Sequence, residues 1–273
     1  MADESGFQLK GSAPERYERY AAPFMVPFVD AILDAADLYP GAKALDLACG
    51  TGFVARAAAA RVGPSGRVSG ADVNAGMIGV AVEHAPRMYP DIDFTVASAE
   101  RLPYEDAAFD AVLCQQGVQF FPDLDAAFAE AARVTRPDGR FAATAWAARD
   151  LLPYFVAQYE AVEEYGGKEL AANYEGAFSG TPERLSAALR GAGFHDVAVR
   201  RITFGIPLPP LDAYAPGQLS STSWGQTIVD TAGEDALLRA GRSVRTRLAG
   251  HTAPDGTTTL PFTANLLTGI RTR

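Results

Sequence analysis

Ala44-Leu45-Asp46-Leu47-Ala48-Cys49-Gly50-Thr51-Gly52 decides how this chain folds. A short apolar run ends on a glycine-rich turn, the signature of a buried strand handing over to a helix. Glycines let the backbone turn sharply and come close to a ligand that leaves no room for a Cβ. Asp72 closes the next strand-like run, Val68 to Asp72, twenty-six positions after Asp46. A carboxylate there can accept both ribose hydroxyls of a nucleoside lying across the strand ends.

Outward from this turn, strand and helix patterns alternate. Alanine-rich residues 53–61 predict a helix, as do 74–84, with strands at 93–97 and 109–114. Asp123 caps a helix running to about Val134, with Leu124, Ala127, Phe128 and Ala131 on one face. Pro137-Asp138-Gly139 is expected to end that helix before a fifth strand at 140–146. A sixth strand is expected at 197–204 and a last one at 258–270. Such alternation predicts an α/β fold: a Rossmann-like, seven-stranded, mostly parallel sheet with helices on both faces and a helical cap or lid.

The cap reads from residues 13–37, where Tyr17, Tyr20, Phe24, Phe28, Ile32 and Ala35 recur at helical spacing and Pro23 and Pro27 break the run. After Trp146 the pattern loosens. Residues 151–165 predict an amphipathic helix, and Thr181-Pro182 opens another with Gly193 beyond its end. Pro207, Pro209, Pro210 and Pro216 suggest an irregular insertion, and 226–248 one further helix. The expected organisation is a cap (1–40), a cofactor-binding core (41–147) and the rest of the sheet with lid insertions (148–273), all in one structural domain.

Composition narrows the function. The 273 residues carry a net charge of −9, which repels phosphate backbones, so a nucleic-acid partner is not expected. No apolar run of about 20 residues predicts a membrane span. The acidic start, Met1 to Gly6, lacks the features of a secretion signal. Cys49 and Cys114 are the only cysteines and have no zinc spacing, so the expectation is a cytoplasmic protein with no metal. Arg239, Arg242, Arg245 and Arg247 read as one solvated helix face.

Gly50 to Ala55 also fits the dinucleotide fingerprint, which leaves a nicotinamide-dependent oxidoreductase open. Three features weigh against it. About forty residues precede the first strand. Asp46 puts a carboxylate near where a pyrophosphate would lie and suits a cationic amino-acid moiety better. No Tyr-x-x-x-Lys pair exists, the lysines being Lys10, Lys43 and Lys168.

From Ala44 to Trp146 the chain resembles class I S-adenosylmethionine-dependent methyltransferases, especially the bacterial small-molecule branch of quinone C-methyltransferases and natural-product tailoring enzymes. The matching pieces are Leu45 to Gly52, Gly70 to Met77, Ala99 to Tyr104, Phe109 to Val112, Gln115 to Phe121 and Arg133 to Gly139. The resemblance implies that Ala48, Gly50 and Gly52 hold the methionine portion of S-adenosylmethionine, and that Asp72 binds its ribose. Val73 and Met77 would pack on the adenine, with Ser98 and Ala99 by its exocyclic amine. Gln115 would line the sulfonium side, and Tyr17 would reach over from the cap. The chain departs from the pattern at Ala48 and Asp138, where glycine is commoner, and at Ser98, where a carboxylate is usual.

No catalytic residue is assigned. A sulfonium methyl is already activated, so the protein mainly supplies alignment and a dry cavity, and a base is needed only if the acceptor must lose a proton. Tyr20, Gln119 and Trp146 are the candidates to face the acceptor, while Phe120 and Phe121 are expected in the core. Cys49 and Cys114 read as buried packing, and His84, His195 and His251 as structural. The expected activity is methyl transfer to a small molecule, a secondary metabolite or quinone-like compound, releasing S-adenosylhomocysteine. The alternatives are a cyclase or pericyclase that keeps the methyl, and a catalytically silent subunit. A homodimer is left open. Aromatic and proline-rich stretches outside the cofactor motifs predict a cavity between the N-terminal helices and residues 150–250, opening beside Gln115 and Gln119.

Overall fold

Strand β1 (Lys43–Leu47) is buried along nearly its whole length, as a central parallel strand must be. It pairs in parallel with β2 (Arg67–Asp72) on one side and β4 (Phe109–Gln115) on the other. β3 (Ile92–Val96) continues in parallel beyond β2, and β5 (Thr135–Trp146) beyond β4. β7 (Thr258–Arg271) runs antiparallel between β5 and β6 (Phe194–Leu208). The order β3-β2-β1-β4-β5-β7-β6 is the expected seven-stranded, mostly parallel sheet. Winding reverses between β1 and β4, and at such a switch point the carboxyl ends of the strands open a crevice. This is a computed structural model, and it describes residues 9, 11–85 and 91–273. Residues 1–8 and Lys10 of the expected cap lie outside the described residues.

Successive residues of the strands face opposite layers. Ala111 and Leu113 join a cluster with Phe28 and Ile32 of α2 (Val26–Ala35) and Val54 and Ala58 of α3 (Phe53–Val62). Val112 and Cys114 join another with Phe128 of α5 (Leu124–Val134) and Leu185 and Leu189 of α8 (Pro182–Gly191). α4 (Ala75–Glu83) follows β2. The cap is α1 (Ala13–Tyr20), a 3-10 turn at Ala22–Met25, then α2, and each expected proline sits in the first turn of a new segment.

Four features differ from the sequence expectations. Pro137-Asp138-Gly139 lies inside β5, where Asp138 takes φ +60° and the β4–β5 register shifts. β6 reaches Leu208, with Pro207 tolerated because β6 is an edge strand, and the expected irregular insertion continues as α9 (Leu211–Ser220) with Pro216 inside it. The single helix expected at 226–248 is two, α10 (Ser223–Ala232) and α11 (Glu234–Arg247), divided by Gly233 at φ +81°. An unanticipated α7 (Lys168–Tyr174) follows α6 (Pro153–Gly166). The arginine face of α11 also clasps its neighbours, Arg247 pairing with Glu160 and Glu164 and Arg245 with Asp212. No helix among the described residues is long and apolar enough to cross a membrane.

Candidate active site

The carboxyl ends of β1, β2 and β4 open into a cavity of about 360 Å³, within the ~300–1,000 Å³ of small-molecule sites. Its strand side is built around Asp72. One carboxylate oxygen accepts from Gly50 N and the other from Asn74 N, each at 2.8 Å. These bonds tie the glycine turn to the start of α4, where Asn74 caps the helix by accepting from Gly76 N at 2.9 Å and Met77 N at 3.2 Å. Burial raises the Asp72 carboxyl above the usual range despite both backbone donors.

The turn itself has left-handed backbone at Ala48 (φ +56°), Gly50 (φ +53°) and Gly52 (φ +79°). A Cβ added at Gly50 would meet nothing within 4 Å, so that residue leaves open space in the cavity wall. A small cavity of about 30 Å³ adjoins the first and contains Asp46, which is 1% exposed. One Asp46 oxygen accepts from Ala55 N at 2.8 Å, and the other has no partner among the described residues. Burial, with Asp72 nearby, pushes its carboxyl up to about 8. An orphaned buried oxygen of this kind fits a cationic group.

The cap closes over the turn through two contacts. Arg56 of α3 pairs with Glu18 of α1 and donates to Thr51 O at 2.6 Å. Gln115, at the end of β4, donates to Met25 O at 3.1 Å. Tyr17 enters the cavity from α1 and donates to Met25 Sδ at 3.7 Å. Burial raises its phenol, and Asp72, Glu18 and Asp46 add to the effect, so it stays protonated at neutral pH.

Tyr17, Ala48, Gly50, Asp72, Val73, Met77, Ser98, Ala99, Gln115 and Trp146 all line the main cavity. Three expected site residues do not. Gly52 lies beneath the turn, where a Cβ would stand 2.7 Å from the Phe94 ring, so glycine is needed there for packing. Tyr20 rotates off the cavity around α1 and packs on Gly217 of α9, with Arg19 over its ring. Gln119 sits in a 3-10 turn, Val118–Phe120, and its buried side chain points away, near Gly180. Phe120 and Phe121, expected in the core, line the cavity in its place.

Sequence reasoning missed Glu100, Gln158, Tyr174, Gln218 and Trp224 as wall residues, whereas Phe24 and Phe155 belong to the aromatic stretches from which the cavity is expected. Glu100 lines the cavity beside Ser98 and offers a carboxylate in that neighbourhood; Ser98 Oγ already accepts from Glu100 N at 3.2 Å. The wall away from the strands comes from α6, α7, α9 and α10: Phe155, Gln158, Tyr174, Gln218 and Trp224, with Phe24 from the cap. Among the described residues this wall carries no histidine, lysine or carboxylate, and the charged ones lining the cavity are Asp72 and Glu100. Phe155 stacks edge-on to Trp146 at 5.0 Å, and Tyr174 lies 4.6 Å from Trp224. The cavity thus lies between the cap and residues 150–250, open beside Gln115 but not beside Gln119. Cys49 and Cys114 are buried and burial raises both thiols, as inert packing residues require.

Residues 45–143 match the family described as "Methyltransferase domain". The ubiquinone/menaquinone biosynthesis C-methyltransferase UbiE of Hydrogenovibrio crunogenus is 37% identical over 89 residues, 32% of this chain and 35% of that protein. Matches of this kind span about a third of the length of the curated relatives. Phosphoethanolamine N-methyltransferase 2 of Haemonchus contortus, solved with phosphomonomethylethanolamine and S-adenosylhomocysteine, aligns with a TM-score of 0.61 at 19% identity, over 95% of this chain and 57% of that one. The 4+2 cyclase SpnF aligns with a TM-score of 0.56 at 18% identity, over 99% of this chain and 88% of that one. At these identities the structural likeness is one of fold.

Proposed function

We propose that this chain, whose residues 45–143 match a methyltransferase domain, is a class I enzyme that transfers a methyl group from S-adenosylmethionine to a small molecule. The observation that carries this reading is the cavity itself. A polar, carboxylate-bearing strand side joins an enclosed aromatic side, so that two ligands can meet within one wall. The residues present fit the cofactor. Asp72 keeps lone pairs for ribose hydroxyls, Gly50 leaves open space for backbone contact, and Asp46 offers an unpartnered buried oxygen to an ammonium.

In this reading Asp72 binds the ribose, and Val73 and Met77 pack on the adenine. Ser98 and Ala99 lie by its amine, with Glu100 close by. Ala48 and Gly50 line the methionine portion, and Gln115 and Tyr17 flank the sulfonium side. When bound, the cofactor supplies an activated methyl on a sulfonium, displaced in line. The chain's own part is alignment and exclusion of water. Trp146, Phe155 and Phe24 hold a flat acceptor, and Arg56–Glu18 and Gln115–Met25 hold the cap over it. Among the described residues the acceptor side carries no histidine, lysine or carboxylate, and its ionisable group is the Tyr174 phenol. The division into cap (1–40), cofactor core (41–147) and acceptor-shaping remainder (148–273) follows the same reading.

A quinone-like acceptor is favoured by the name of the UbiE relative and by the aromatic wall. A second reading, ring closure without methyl loss, is favoured by the likeness to SpnF over nearly the whole chain. Incubation with methyl-labelled S-adenosylmethionine and a naphthohydroquinone, read by mass spectrometry, separates them. The proposal expects a product heavier by one labelled methyl and an equal amount of S-adenosylhomocysteine. A product of unchanged mass with intact cofactor favours ring closure; cofactor bound with no product formed from any acceptor class sinks both.

A further inference from the structure

One group on the acceptor side of the cavity is not explained by shape alone. Gln218 of α9 is 4% exposed and lines a largely aromatic wall together with Gln158. Its carbonyl oxygen is doubly used, accepting from Tyr154 OH at 3.4 Å and from Gln158 Nε2 in a close contact. Gln158 is fixed in turn, because its own oxygen accepts from Tyr174 OH at 2.7 Å. The chain of bonds leaves Gln218 Nε2 with no acceptor among the described residues. Three side chains from two helices, α6 and α7, therefore orient one amide of α9 that lines the cavity.

A purely structural role does not require this arrangement. Burying an amide costs free energy unless its hydrogens are met, and aromatic side chains would close the wall without that cost. A network satisfied on every side except the one facing the cavity suits a ligand that completes it. Among the described residues the wall has no cation for a phosphate or carboxylate and no carboxylate for an amine. The ligand that fits is flat, apolar and uncharged, with one hydrogen-bonding oxygen on its ring.

We propose that Gln218, held by Gln158, Tyr154 and Tyr174, is the specificity-determining residue for the acceptor and donates a hydrogen bond to a ring oxygen. This rests on reading the cavity as a joint cofactor and acceptor site. It adds that selection of the acceptor operates through a neutral amide, and that aromatic stacking alone does not decide it.

The chain supplies its own probe, since its two tryptophans, Trp146 and Trp224, both line the cavity. Tryptophan fluorescence of the full chain, saturated with S-adenosylhomocysteine, is titrated with naphthoquinone and with methylnaphthalene, which matches its shape but lacks the oxygens. The wild type is expected to bind naphthoquinone about five- to tenfold more tightly, the scale of one net hydrogen bond. Gln218→Met, close in volume, should erase that preference while methylnaphthalene and S-adenosylhomocysteine bind as before. Tyr154→Phe should reduce the preference and leave the fold intact. A preference that survives Gln218→Met, or equal losses for both probes, overturns the proposal while the cofactor reading stands. Failure of the wild type to bind S-adenosylhomocysteine overturns the cofactor reading and this inference with it.

Discussion

Asp46→Asn tests the electrostatics of the site through pH. In the folded chain, burial with the help of Asp72 holds this carboxyl at about 8, against an ordinary 3.8. Between those values the folded protein keeps a proton that the unfolded chain has released, so stability without ligand falls as pH rises through the window. A ligand ammonium beside the unpartnered oxygen favours the ionised form, so binding below about pH 8 must expel that proton. Affinity should then weaken by up to about tenfold for each pH unit below 8. The assay is calorimetric titration with S-adenosylhomocysteine from about pH 6 to about pH 8, in buffers of different ionisation enthalpy. The expected result for the wild type is proton release on binding and an affinity that rises toward pH 8. Asp46→Asn should flatten the rise and weaken binding at pH 8, where the ammonium has lost its charged partner. A wild-type affinity flat with pH, or an identical slope in Asp46→Asn, refutes the assignment of Asp46 to the amino group.

Other substitutions probe the turn. Asp72→Asn must turn an NH₂ group toward either Gly50 N or Asn74 N, leaving a backbone donor unmet at about 1–3 kcal/mol, and S-adenosylhomocysteine affinity should fall at least about tenfold by calorimetry. Gly50→Val should abolish binding, because its side chain enters open space in the cavity wall, with a stability loss limited to the strain of its left-handed backbone at φ +53°. Gly52→Val should instead lower the melting temperature sharply, because its Cβ would strike Phe94 at 2.7 Å. Equal melting temperatures for the two glycine variants would contradict this division of roles.

The strand side of the site is legible in sequence because it is local. Asp46, Ala48 and Gly50 follow one another within a single strand–turn unit, and Asp72 ends the strand that pairs beside it. The aromatic wall is not local. Phe24, Trp146, Phe155, Tyr174 and Trp224 come from five separate segments, and no spacing along the chain predicts that they converge. Tyr20 and Gln119 are misplaced in the sequence reading for a related reason. In a short helix or 3-10 turn, the rotation of one turn decides which side chain faces the cavity, and composition does not record it. Gly52 shows a different limit, since a glycine needed for packing on Phe94 looks in sequence like one needed by a ligand. Pro216 reads as a helix breaker, yet it lies inside α9 and packs against Gly241 of α11.

The most direct test of the central claim is a crystal structure of the full chain grown with S-adenosylhomocysteine. The account predicts both ribose hydroxyls within hydrogen-bonding distance of the Asp72 carboxylate, the adenine against Val73 and Met77, the amino group on Asp46, and the sulfur facing Gln115 and the aromatic wall. A ligand bound elsewhere, or bound here with its ribose turned away from Asp72, would contradict it.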